Sequence, residues 1–122
     1  SSSTLFKQSR ELCIPYDRRI VDYFDRAEQS NINSLMLDEK GKIGYTLKSM
    51  GAGLWCLLHA INFSEGILSV IHEGGDADSN AAVAGSILGA MYGFSGIPAE
   101  WVNGLIYRQR IDDRVEKLLS II

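Results

Sequence analysis

An all-α fold is what this sequence predicts, and three observations carry the prediction. Apolar residues recur at the helical period through most of the chain, and no segment alternates in polarity for long enough to make a convincing strand. Gly, Pro and capping residues separate the periodic stretches. After Pro15, "YDRRIVDYFDRAEQSN" places Tyr16, Ile20, Phe24 and Ala27 on one face with charges opposite. "NSLMLDEKGKIGY" then loses periodicity, and "DEKGK" reads as an exposed turn. A second helix starts near Thr46 as N-cap, with Leu47, Met50, Leu54, Leu57, Leu58 and Ile61 as its buried stripe.

The third helix follows Ser64, with Glu65 in its first turn near the positive helix end, Ile67, Leu68 and Ile71 facing inward, and Gly74 as its stop. The fourth runs from about Ser79 to Tyr92. Pro98 opens a short helix, "PAEWVNGLI", at its first position. The last, "RIDDRVEKLLSII", carries Ile111, Val115, Leu118 and Ile122 on one side. Gly85, Gly89 and Gly93 recur one turn apart along the fourth helix. Each internal Gly costs a helix roughly 1 kcal/mol relative to Ala, so the stripe predicts close approach by another helix. Such a helix would be central, and its N-terminus rigidly held.

Composition narrows the partners. The chain has 122 residues, 46% hydrophobic and 22% charged, with net charge −3, as expected of one soluble globular domain or a part of one. No Lys/Arg run exceeds Arg18-Arg19, which argues against a nucleic-acid surface. An anionic small ligand stays possible if a metal ion or helix N-termini supply the positive charge. Cys13 and Cys56 fit no metal spacing, and Cys56 within "GLWCLLHAI" reads as a buried, reduced thiol. "SSSTLFKQSRELC" has no apolar signal-peptide core, and the longest apolar run falls short of the ~20 residues that span a bilayer. The expectation is a cytoplasmic protein without a membrane partner.

The chemistry concentrates in "HEGGDADSN", where Asp76, Asp78, Ser79 and Asn80 crowd the start of the fourth helix. Asp, Ser and Asn are the best N-caps, and carboxylates suit a helix N-terminus. Two carboxylates and a hydroxyl are equally a hard oxygen set for Mg²⁺ or Mn²⁺. Capping and coordination both remain open on the residues alone. An EF-hand is excluded, because its sixth and twelfth positions would be Ala81 and Ile87 instead of Gly and Glu. Three protein ligands do not complete a coordination sphere. The Asp112-Asp113 pair reads as a solvated helix face, Trp55 and Trp101 as core or interface anchors, and His59 and His72 receive no role.

"GGDADSNAAVAGSILGAMYG" resembles the C-terminal signature of the ADP-ribosylglycohydrolases, commonly written G-G-D-[TA]-D-[TS]-N-A. "IGYTLKSMGAGLW" ahead of it and "IPAEWVNGL" behind it are similar to the family's flanking segments, so the resemblance runs from about residue 44 to 105. It implies the C-terminal part of a multi-helix, all-α fold and a binuclear Mg²⁺ or Mn²⁺ site that cleaves ADP-ribose from a modified group. By position, Asp76, Asp78 and Ser79 would be metal ligands, with Ser79 standing where Thr is commonest, and Tyr45 would border the substrate cleft. Ala77 replaces a frequent Thr that is not a ligand.

Family enzymes are roughly two to three times longer, as a larger catalytic domain requires, and their N-terminal part supplies a Thr-Asp-Asp cluster that is absent here. The resemblance therefore implies a single partial domain with half a metal site and no catalytic residue assigned. Its partners would be an ADP-ribosylated protein or small-molecule conjugate, and the enzyme's N-terminal half or a self-association partner. Two other classes fit the residues: a metal- or ADP-ribose-binding protein without turnover, like related lens crystallins, and an assembly fragment whose apolar face pairs with another chain.

Overall fold

The computed structural model describes residues 1–122, and every regular element in it is helical. The helices are α1 (Ser2–Cys13), α2 (Arg18–Glu28), α3 (Thr46–His59), α4 (Phe63–His72), α5 (Ala77–Tyr92), α6 (Ala99–Asn103) and α7 (Arg108–Leu119), with 3₁₀ turns at Ile32–Leu35 and Phe94–Gly96. The fold class expected from periodicity is the one observed. The helix starts differ in detail: Asp17 caps α2 and Asn62 caps α4 with side-chain bonds, while Tyr45, instead of Thr46, holds the N-cap of α3. Pro98 likewise stands at the N-cap of α6, just before its first helical residue.

Helix α3 is the axis of the molecule. It packs most extensively on α5, then on α2, and α4 covers another side of α5. This central position explains why burial spreads around most of α3, from Gly51 to Cys56, instead of following a single stripe. Phe6 of α1 meets Phe24 edge-on at 5.1 Å, and Leu35, Leu37, Ala52, Cys56, Val70, Ala84 and Leu88 complete the interior. Burial pushes the Cys56 thiol up to about 12, which keeps it protonated. Trp55 is buried against His59, whose Nε2 lies 3.0 Å from the Ala27 carbonyl, and Trp101 packs edge-on to Phe63.

Several expected core positions are exposed. Tyr16 is 81% exposed because it precedes the Asp17 cap and lies off the helical period. Ile61 is 77% exposed because α3 ends at an extended Ala60. Helix α4 buries the face of Phe63, Gly66, Ile67 and Val70, which turns Leu68 and Ile71 outward. Leu35 and Leu37, in the aperiodic segment, are fully buried.

The glycine stripe also behaves unlike its expectation. Only a side-chain tip, Ile67 Cδ1, approaches Gly85, and nothing approaches Gly89 or Gly93. The close approaches occur at Gly53, where a Cβ would lie 2.7 Å from Ile87, and at Gly66, where it would lie 2.8 Å from Leu88. No partner helix in this chain covers the outer face of α5. Helix α7 is similar: Ile111, Val115, Leu118 and Ile122 do share one side, but all are exposed.

Candidate metal centre

The acidic turn is positioned from beneath. Helix α4 stops at His72, and Gly74 and Gly75 follow in left-handed conformations (φ 72 and 66). Gly75 has no alternative, since any Cβ there would collide with the Leu37 carbonyl. The "GG" pair thus brings the turn down onto the Leu37–Asp38 backbone. That backbone is fixed in turn by Lys48, 1% exposed, whose ammonium donates to the Met36 carbonyl and to Glu39 Oε2 (3.1 Å). Met36 is itself left-handed (φ 49).

Asp76 is the N-cap residue of α5, yet its side chain makes no cap hydrogen bond. Its carboxylate faces the preceding loop instead, with Oδ2 3.6 Å from where a Cβ on Gly44 would sit. Asp78 stands beside it in the first turn. The Ser79 N–H donates to Asp78 Oδ1 at 3.0 Å. Asp78 and Ser79 are exposed and Asp76 half-buried.

The first turn is tied to α3 through Asn80. Its side chain is 1% exposed, and its Oδ1 accepts from the Ser49 hydroxyl at 2.8 Å, while its Nδ2 has no partner. Sequence reasoning counted Asn80 only among the capping candidates. The available signal was its register with Ala84 and Leu88, which places it on the buried face of α5.

No three His, Cys, Asp or Glu side chains converge to hold a metal. Glu73 is near the turn, and burial and then Asp38 raise its pKa, but it is engaged elsewhere: with its amide turned to face Glu73, Asn33 donates to both carboxylate oxygens at 2.9 Å. The turn therefore offers two carboxylates and a neighbouring hydroxyl at one helix start, hard oxygens of the kind Mg²⁺ and Mn²⁺ take, short of a full sphere.

Tyr45 lies across Gly44 from this turn. Half-buried, it packs edge-on to Tyr23 at 6.0 Å, and both line an open cleft of about 550 Å³ between α2 and the 41–45 loop. Arg19, Asp22, Arg26 and Lys42 complete its charged walls. Sequence reasoning placed Tyr45 at a cleft and missed these four, which come from segments whose charges read only as solvated.

The chain is similar to an ADP-ribosylarginine hydrolase Tri1 of Serratia proteamaculans, 40% identical over 81 residues covering 66% of this chain and 22% of that protein. The Tri1 of Pseudomonas putida is 38% identical over 83 residues, 68% of this chain and 22% of the relative. The ADP-ribosyl-[dinitrogen reductase] glycohydrolase of Rhodospirillum rubrum is 34% identical over 61 residues, 48% and 21% respectively. The matched segments thus span about a fifth of these relatives' lengths. No solved structure matches the chain significantly. The ADP-ribosylglycohydrolase family profile matches residues 3–122, well beyond the 44–105 stretch that carries the motifs, and the chain belongs to that family.

Proposed function

We propose that this chain is the C-terminal portion of a metal-dependent ADP-ribosylhydrolase, which cleaves the N- or O-glycosidic bond between ADP-ribose and a modified group. The observation that carries the reading is the uncommitted Asp76 carboxylate. It occupies a capping position without capping, and it stands two residues from Asp78 at the same helix start. Two neighbouring carboxylates repel each other, and a divalent cation relieves that repulsion. The relatives' names, ADP-ribosylarginine hydrolase among them, favour the reaction class.

In this reading Asp76, Asp78 and Ser79 hold Mg²⁺ or Mn²⁺ and offset its charge, while Asn80 and the Gly74-Gly75 turn keep them in place. When bound, the metal supplies Lewis-acid activation of a water for attack through an oxocarbenium-like transition state. Tyr45 borders the substrate. The remaining ligands belong to a Thr-Asp-Asp cluster in the enzyme's N-terminal half, so this chain alone is inactive. No helix is long and apolar enough to cross a membrane, and the buried thiol of Cys56 suits a cytoplasmic setting. A binding protein without turnover is the second reading, favoured by the incomplete ligand set.

Calorimetric titration with Mn²⁺, with and without a supplied N-terminal half, tests the proposal, with ADP-ribose release as the second readout. Metal binding and turnover are expected in the reconstituted pair and lost in Asp76→Asn. Full activity in that variant would overturn the assignment, and metal binding with no ADP-ribose release would favour the second reading.

A further inference from the structure

Asn103 ends α6 and Gly104 follows it, and both are exposed. Of the five asparagines in the chain, this is the one followed by glycine. The others are engaged or shielded. Asn31 and Asn62 cap helical segments with their side chains, Asn33 holds Glu73, and Asn80 is buried against Ser49. The Asn103 side chain meets a cation instead. Arg108 Nη1 donates to its Oδ1 at 2.6 Å, while Nε of the same guanidinium lies 3.5 Å from Asp112 Oδ2. Packing favours glycine at 104, since a Cβ there would crowd the Glu100 carbonyl at 3.2 Å. The fold therefore keeps beside Asn103 the residue that least hinders approach to its side-chain amide.

We propose that Asn103 is a site of spontaneous deamidation, and that Arg108 promotes it. The Gly104 backbone nitrogen attacks Asn103 Cγ and gives its proton to solvent. The bond from Cγ to Nδ2 breaks, and that nitrogen leaves as ammonia with a proton taken from solvent. Water then opens the resulting cyclic imide at either carbonyl, which leaves aspartate or isoaspartate at position 103. Nothing is oxidised or reduced. Negative charge collects on Oδ1 during the attack, where the Arg108 guanidinium already donates. The Gly104 N–H must first leave the Glu100 carbonyl, 3.0 Å away. A five-residue helix with an exposed C-terminal end opens there readily. In the product a carboxylate faces Arg108, and isoaspartate also lengthens the main chain between α6 and α7.

The test incubates the folded chain at neutral and mildly alkaline pH and follows each asparagine by peptide mass mapping, with enzymatic methylation to reveal isoaspartate. Asn103 is expected to convert about tenfold faster than Asn62, whose side chain is held in a helix cap. Conversion should quicken as pH rises, because the attacking nitrogen must lose its proton. Arg108→Gln should slow it about threefold, the scale of an exposed charge contact. Arg108 lies on a helix with no buried residue, so this variant keeps the fold. In urea the parent and Arg108→Gln should convert at one rate, because the contact exists only in the folded chain. Three results would each overturn the proposal: an Asn103 as long-lived as Asn62, equal rates for parent and Arg108→Gln in the folded state, or a difference between them that persists in urea.

Discussion

The Lys48 ammonium reaches the interior because two oxygens meet it there: the carbonyl of Met36, turned by its left-handed backbone, and a carboxylate oxygen of Glu39. Lys48→Met keeps the volume of the side chain but leaves the Met36 carbonyl without a donor. An orphaned buried acceptor costs about 1–3 kcal/mol, and urea unfolding is expected to show a loss in that range. Acid titration supplies a second signature. Lys42 first, then Lys48, hold the Glu39 carboxyl below its ordinary 4.5. A depressed acid stabilises the fold fully above that ordinary value, and the contribution is lost as pH falls through the lower folded value. The acid-side loss should therefore be shallower in Lys48→Met than in the parent. Little of this was legible in the sequence, where Lys48 sits among apolar residues with no mark of its partners. The acidic turn was legible, because residue types and spacing alone concentrate carboxylates there.

Among the elements, α5 has two unlike faces. Inward, Ala84 and Leu88 are fully buried, and Leu88 leaves no room at Gly66 of α4. Outward, Gly89 has open space around it. The two glycines should respond to alanine with opposite signs. Gly66→Ala forces Leu88 and Ala60 apart and is expected to destabilise by about 1–3 kcal/mol. Gly89→Ala should raise stability by about 0.5–1 kcal/mol through helix propensity, both measured as shifts in the urea midpoint. A loss at Gly89 would show that this face is already packed. Periodicity located α2 through Phe24 and Ala27 and the last helix through Ile111 and Val115, because those stripes are regular. It missed α1, whose single buried residue, Phe6, makes no stripe. It also read the glycines of α5 as packed, since the penalty of a glycine is visible in sequence while the presence of a neighbour is not.

At the scale of the molecule, surface area is the telling quantity. A compact monomer of 13.5 kDa exposes roughly 6,500 Å², whereas this chain exposes 8000 Å², about 1,500 Å² more. Part of the excess is an apolar groove of about 510 Å³ between α1 and α5, lined by Leu5, Leu54, Leu57, Ile87 and Met91. Contiguous apolar surface of this kind promotes association. Sedimentation of the isolated chain is expected to show self-association, and Leu5→Glu, at an exposed position on the groove rim, should weaken it without unfolding the protein. A strictly monomeric parent would contradict this. The family resemblance in the sequence implied a partial domain; which faces stand open follows only from the packing of α3 against α5.

Helix α7 carries a further consequence. It has 12 residues, none of them buried, and an isolated helix of that length is marginal in water. Its backbone amides should therefore exchange with deuterium almost as fast as those of an unstructured peptide, while those of Ala52 to Cys56 in α3 remain slow for as long as the whole fold persists. Slowed exchange at Arg108–Leu119 on adding any second molecule would then mark the moment at which the exposed side bearing Ile111 and Val115 finds its cover.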